Sequence, residues 1–172
     1  MALALRASSS WRSISFVLLI LLCAVAAGCA HRAPTPVYQM GERAEVGPYV
    51  YSVLEAHWAG KLGDEPNPRL PRHRFLLIRI SVTNGTPKDF SVPQMTLISQ
   101  SNVEYPELAE GSGVRDWYGL FRRLGPSETV TRWILFDAPH SDYRLRVGDD
   151  AFDPADMRTA LIEVPTRLAQ KQ

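Results

Sequence analysis

The chain has 172 residues, 22% of them charged, and a net charge of +1. This length fits one domain, and the balanced charge excludes the strongly basic surface with which proteins grip nucleic acid. The two cysteines, Cys23 and Cys29, are too few for a disulfide scaffold or for a zinc site of four cysteines. We therefore expect no cofactor and no nucleic-acid partner.

Residues 1–28 differ in composition from the rest of the chain. Arg6 and Arg12 are their only charges, and the stretch Phe16–Gly28 that follows contains no polar side chain. This apolar run is shorter than the roughly 20 residues that a membrane-spanning helix needs. It has the length of the hydrophobic region in a secretory signal helix.

Small residues stand directly before Cys29, in the order Ala26-Ala27-Gly28. This arrangement resembles the lipobox of bacterial lipoproteins. The resemblance implies a lipid on the Cys29 thiol, cleavage before Cys29 and attachment to a membrane of the cell envelope. Because Ala30 and not aspartate follows the cysteine, it implies the outer rather than the inner membrane. The alternatives are an ordinary cleaved signal and an uncleaved short anchor.

The mature chain then divides into three parts. Residues 29–41 are predicted to be a tether, because Pro34 and Pro36 keep this polar segment extended. Residues 42–166 form the predicted domain, and residues 167–172 a polar tail. Apolar side chains alternate with period two through the domain and predict strands. The predicted strands are residues 49–58, 74–83, 90–99, 103–105, 129–137, 143–147 and 160–164.

The clearest strand is 74–83, in which Leu76, Ile78, Ile80 and Val82 share one face. It ends at Asn84-Gly85-Thr86-Pro87, which we interpret as a hairpin turn rather than a glycosylation site. Glycines and prolines make residues 59–71 a loop, and residues 107–124 are irregular, with room for a short helical turn. Seven or eight short strands predict an all-β fold, an antiparallel immunoglobulin-like β-sandwich after the signal helix, with a closed barrel as the alternative.

A longer pattern supports this fold. Residues 74–85, Leu124-Gly125-Pro126, and Phe136-Asp137-Ala138-Pro139 occur in the order that is typical of an immunoglobulin-like domain of unknown function found on exported bacterial proteins. The chain resembles that family over residues 40–147. The resemblance implies the fold and a location outside the cytoplasm, and it implies no catalytic residue.

Aromatic and cationic side chains are concentrated in one segment of the irregular stretch. This is the composition of binding hot spots. The candidate partner-binding residues are Trp117, Tyr118, Phe121, Arg122 and Arg123. Two adjacent arginines fall short of a nucleic-acid footprint. For this segment by itself we favour a structural loop whose aromatic rings cover an open end of the sandwich, and a binding surface is the alternative.

The sequence offers no metal site with a recognised spacing. The carboxylates that come closest are Asp149, Asp150, Asp153 and Asp156. This run lacks the glycine and the final glutamate of an EF-hand loop. We therefore predict a solvated turn, and a calcium site is the alternative.

Catalytic motifs are also missing, since no serine stands in a Gly-x-Ser-x-Gly motif and Cys29 is assigned to lipid. A cell-wall hydrolase would need a cluster such as His57, Asp64 and Glu65 within hydrogen-bond reach. We predict that the protein is not an enzyme. It is expected to be a membrane-anchored envelope lipoprotein whose domain binds an envelope protein, and a calcium- or carbohydrate-binding module is the alternative.

Overall fold

The computed structural model describes residues 34–151 and 156–165. The predictions for the signal peptide, Cys29, Asp153 and the tail 167–172 lie outside the described residues. All the strands below belong to one compact unit, which begins at Thr35. They are β1 (Val37–Tyr38), β2 (Ala44–Val46), β3 (Tyr49–Ala59), β4 (Phe75–Asn84), β5 (Phe90–Ser91), β6 (Thr96–Ser99), β7 (Glu104–Pro106), β8 (Arg123–Leu124), β9 (Thr129–Asp137), β10 (Tyr143–Gly148) and β11 (Thr159–Val164).

Two main sheets form the fold. One has the strand order β1-β11-β10-β6-β7 and the other β2-β3-β4-β9, while β5 and β8 pair by themselves. Every pairing is antiparallel except that of β1 with β11. The orders β3-β4-β9 and β6-β10-β11 correspond to the A-B-E and C-F-G strands of immunoglobulin domains. Together with the packing of the sheets described next, this confirms the predicted antiparallel sandwich.

One hydrophobic core lies between the sheets. Alternate residues of β4 point into it, namely Leu76, Ile78, Ile80 and Val82, and they meet Leu145 and Ile162 from the opposite sheet. The predicted inner face of this strand is therefore confirmed. Burial of alternate side chains is what a half-buried strand requires, since successive side chains point to opposite faces.

A second, smaller core lies on the outer face of β4. Phe75 and Leu77 are buried there with Leu62 and Leu135. Leu62 comes from the loop between β3 and β4, and the backbone of Leu108 donates to the carbonyl of Leu135 at 2.8 Å. The irregular loops thus cover one end of a sheet face, which explains the continuous apolar start of β4.

The tyrosine corner of immunoglobulin folds is present at the start of β10. The buried Tyr143 hydroxyl donates a 2.6 Å hydrogen bond to the Pro139 carbonyl, four residues upstream. Leu145 follows two residues later, where antibody domains carry a cysteine. Packing of apolar side chains therefore replaces the disulfide of antibody domains.

The structure corrects four local predictions. The described residues form eleven strands rather than seven or eight, and the additional strands have two or three residues, too few for a period-two signal. Residues 90–99 divide into β5 and β6 in different sheets, with Pro93 between them. The turn after Asn84 is a crossover between sheets and not a hairpin. The irregular stretch 107–124 contains turns and β8 but no helix.

The alternation in β3 also changes at one point. Residues Tyr51 and Val53 point into the core, and after them it is Ala56 rather than Glu55 that is buried. The register with β4 shifts between Val53 and Glu55, so Leu54 is the extra residue of a β-bulge. The predicted single alternation through residues 49–58 is wrong for this reason. Among residues 34–151 and 156–165, no helix is long and apolar enough to span a membrane.

Candidate binding loop

The aromatic loop, defined as residues 117–123, begins against the edge of β9. The Tyr118 amide donates to the Trp133 carbonyl at 2.8 Å, and the Trp133 amide donates to the Asp116 carbonyl at 3.0 Å. Side chains of Trp117 and Tyr118 are half-buried, and a methyl group added at Gly111 would overlap the Trp117 indole. The start of the loop is therefore fixed to the sheet.

A tight turn follows. Gly119 has a φ of +72°, a conformation that glycine adopts without steric cost. The Arg122 guanidinium donates from Nε to the Gly119 carbonyl at 2.7 Å and closes the turn. The Arg122 carbonyl in turn accepts the Val92 amide at 2.9 Å. Both ends of the turn are thus tied down.

Arg122 also makes the buried ion pair of the loop. Its guanidinium donates through Nη1 and Nη2 to the two oxygens of Glu107, and both side chains are fully buried. Glu107 Oε2 accepts the Met95 amide at 3.1 Å as well. The Arg122 Cζ lies 4.6 Å from the centre of the Tyr118 ring, within range of a cation–π contact. Every charge of the pair is therefore compensated.

The environment shifts the pKa of two groups in this cluster. Burial raises the pKa of Glu107, and hydrogen bonds from Arg122 and Met95 oppose that shift without cancelling it. Burial also raises the pKa of the Tyr118 hydroxyl, against the opposing charges of Arg122 and Arg132. The Tyr118 hydroxyl therefore remains protonated at physiological pH.

Phe121, at the tip of the turn, is 100% exposed, and its neighbour Leu120 is partly exposed. Arg123 is exposed and forms an ion pair with Asp89. Of the five candidate residues, only Phe121 and Arg123 therefore point outward. Arg122 is not a surface residue, and this corrects the prediction, because its charge is paired inside the protein.

Two of the described aspartates in the acidic run Asp149–Asp156 are bonded within the fold. Asp149 is buried, and its carboxylate accepts the Arg158 amide at 3.1 Å. Asp150 accepts the Tyr49 hydroxyl at 3.3 Å, and Asp156 is exposed. Within the ranges 34–151 and 156–165, no three His, Cys, Asp or Glu side chains lie close enough to hold a metal ion.

The hydrolase candidates His57 and Glu65 contact other residues and not each other. The His57 ring stacks edge-to-face on Trp133, with centroids 5.0 Å apart. Glu65 is bound to Lys61 at 2.7 Å, and Asp64 is exposed. No hydrogen bond joins any two of these three candidates, which all lie in the described part of the chain.

Sequence reasoning missed two polar residues that organise this end of the molecule. Glu107 follows a proline and carries no signal of its own, because its partner Arg122 is 15 residues away. Asn84 was noticed only as part of a turn, yet its side chain is fully buried and bonds to Lys88 and Gly125. The sequence signals at Asn84 were the turn and glycosylation patterns, and neither indicates its buried hydrogen bonds. Burial of the side chain excludes glycosylation in the folded domain.

Comparisons with known proteins agree with this fold. A family model described as Domain of unknown function (DUF4352) matches residues 38–156. No curated protein matches the sequence. The yjhA protein from Bacillus subtilis is similar in structure, with a TM-score of 0.57, 13% identity, and coverage of 74% of this chain and 98% of that chain.

Two further solved structures are similar. A "putative lipoprotein (ycdA)" from Bacillus subtilis has a TM-score of 0.55 and 9% identity, covering 74% of this chain and 39% of that chain. The secreted protein MPT63 from Mycobacterium tuberculosis has a TM-score of 0.51 and 13% identity, covering 78% of this chain and 99% of that chain. At these identities the likeness concerns the fold alone.

Proposed function

The chain belongs to the DUF4352 family of domains of unknown function, and from this premise we propose that it is an exported, non-catalytic binding module. Lipid on Cys29 holds it on a membrane of the cell envelope, the outer membrane rather than the inner one, and the aromatic loop binds an envelope protein. One similar structure is described as a secreted protein and another as a "putative lipoprotein", and both support export.

The observation that carries the binding proposal is the complete exposure of Phe121. Burial of a phenylalanine side chain contributes about 1.5–3 kcal/mol. The described fold does not bury the Phe121 ring, so this free energy remains for binding a partner. Aromatic side chains and arginine are enriched among the residues that dominate binding energy. Phe121 beside the exposed Arg123 therefore has the composition of an anchor for a pocket on another protein.

The loop is also prepared for binding before a partner arrives. Its start is bonded to Trp133, and its end is fixed by the buried Arg122–Glu107 pair. Since ordering a mobile loop costs free energy on association, a loop that is already held loses less of its interaction energy. Rigid presentation of one exposed aromatic residue is what distinguishes this site from an ordinary surface loop.

Photo-crosslinking in living cells tests the partner. A photoreactive residue is placed at Leu120, next to the tip, so that Phe121 stays intact. The matched control is Leu70, which is also apolar and is 71% exposed on a different loop. We expect a discrete protein adduct from position 120 that Phe121→Ser removes, and none from position 70. Adducts to lipid alone, or no adduct at position 120, would contradict the proposal.

The two cysteines provide a matched test of the anchor. Cells are fed an alkyne-bearing fatty acid, and the native chain is compared with Cys29→Ala and Cys23→Ala. We expect labelling of the native chain and of Cys23→Ala, and loss of labelling in Cys29→Ala. Two or more acyl chains are enough for stable membrane attachment. Equal labelling of Cys29→Ala and the native chain would refute lipid at this position.

A further inference from the structure

The aromatic loop is held by an ion pair that solvent does not reach. Both side chains of the Arg122–Glu107 pair are fully buried, and Arg122 also clamps the Gly119 carbonyl. We propose that protonation of Glu107 releases Arg122 and frees residues 119–122, so that acid weakens partner binding. The loss of binding rests on the function proposed above, whereas release of the loop does not.

The geometry explains why the pair controls the turn. The structure represents the closed state of the loop, in which Glu107 accepts hydrogen bonds from Arg122 and from the Met95 amide. In the open state Arg122 has left Glu107. A neutral Glu107 would leave the guanidinium buried without a counter-charge, which is strongly unfavourable. Arg122 gains most by moving into water. That movement also breaks its bond to Gly119, the contact that closes the turn.

Linkage fixes the sign of the effect. In the open state Glu107 loses the donors of Arg122 and keeps the apolar surroundings, so its pKa is higher there than in the closed state. The open state therefore binds the proton more tightly, and acid favours opening. Burial has already raised the pKa of Glu107 in the closed state, which moves the transition toward mildly acid pH.

The other charged and titratable groups near the pair are Tyr118, Arg132 and Glu128. Tyr118 packs under the guanidinium, and burial raises the pKa of its hydroxyl further from neutrality. Arg132 of β9 and Glu128 of the preceding turn act on this hydroxyl from farther away. Glu128 is bonded to the Gly125 amide at 2.6 Å. Among these groups Glu107 is the carboxylate that bonds to Arg122, so its protonation is the one that releases the loop.

The chain contains a matched control three residues earlier. Glu104 is bound through both oxygens by Arg146, at 2.7 and 2.9 Å, but this pair is exposed. Hydrogen bonds from Arg146 lower the pKa of Glu104, so it stays ionised where Glu107 is protonated. Glu104→Gln removes an equivalent carboxylate without touching the loop.

The test uses the full-length protein in detergent, with trifluoromethyl-phenylalanine in place of Phe121. Fluorine NMR then follows the loop from neutral to mildly acid pH. We expect a second, narrow resonance from the open loop, whose population relative to the closed one rises by up to about tenfold per pH unit. Glu104→Gln is expected to behave like the native chain, and Glu107→Gln to give the open resonance at every pH.

Several results would overturn the proposal. One is a single resonance at position 121 that does not change across the pH range. This result is obtained with Glu107 in place, so it does not depend on whether a Glu107 variant folds. Persistence of the titration in Glu107→Gln is another. The same label at Phe136, in the core, reports on the whole domain. If both positions change together, acid unfolds the domain rather than the loop, and the proposal is wrong.

Crosslinking from Leu120 at neutral and acid pH separates this inference from the proposed function. An adduct at neutral pH that is lost in acid supports both. Release of the loop with no adduct at either pH refutes the protein partner and leaves acid release standing. An adduct with a resonance that does not depend on pH supports the partner and refutes acid release.

Discussion

Replacement of Asn84 is expected to lower the stability of the domain more than replacement of an exposed residue does. The side chain is fully buried between the end of β4 and the segments at Lys88 and Gly125. Its amide nitrogen donates to the Lys88 carbonyl at 2.7 Å and to the Gly125 carbonyl at 2.9 Å. Its oxygen accepts the Thr86 amide at 3.0 Å. One residue thus joins three segments at the crossover between the sheets.

The three short bonds to backbone groups set the magnitude for Asn84→Ala, apart from a further bond that Asn84 accepts from the Thr86 hydroxyl. At about 1 kcal/mol for each hydrogen bond, the free energy of unfolding falls by about 3 kcal/mol. For a domain of this size the melting temperature falls by about 10 °C. Asn84→Asp should cost more at neutral pH, because its second oxygen faces two carbonyl oxygens and carries buried charge. Protonation removes that charge, so the extra loss shrinks as the pH is lowered.

The assay is urea and thermal unfolding of the three proteins, followed by tryptophan fluorescence at neutral and acid pH. The matched control is Asn67→Ala, in which an exposed loop asparagine is removed, and its stability should stay within about 0.5 kcal/mol of the native value. The reasoning fails if Asn84→Ala and Asn67→Ala cost the same. It also fails if Asn84→Asp is as stable at neutral pH as Asn84→Ala.

Three other replacements test the remaining contacts. Tyr143→Phe removes the 2.6 Å hydrogen bond of the tyrosine corner. The free energy of unfolding measured in urea should fall by about 1–2 kcal/mol, and a fall of less than about 0.5 kcal/mol would argue against a structural role of the corner. Gly111→Ala should displace the Trp117 indole, shifting the tryptophan emission and lowering the melting temperature, whereas Gly60→Ala, which meets no atom within 4 Å, should do neither. Phe121→Ala removes a fully exposed ring, so the melting temperature should stay unchanged; a clear drop would show that the ring packs within the fold.

The strands that the sequence predicted well are those whose inner face carries an unbroken series of apolar residues. In β4 the alternation of large apolar residues continues without interruption, and local pattern alone identified its inner face. Prediction failed at the bulge in β3, because one extra residue reverses the face of every side chain after it. Prediction also failed for β5 and β8, because a pair of two-residue strands exists only through the contact of two distant segments.

The aromatic loop shows the same limit. Composition identified residues 117–123 as a candidate site, but it treated Phe121 and Arg122 as equivalent surface residues. The structure turns one fully outward and the other fully inward. The difference depends on Glu107, which the chain brings beside Arg122 only after the sheets have packed.

By itself, therefore, the sequence determined the all-β class and the main strands, because hydrophobic periodicity is a property of neighbouring residues. It also directed attention to one aromatic segment. Tertiary structure alone decided the strand order, the crossover at Asn84 and the orientation of Phe121. Each of these depends on polar groups from distant segments that must find one another once water is excluded, and no local pattern records which partner a buried charge will meet.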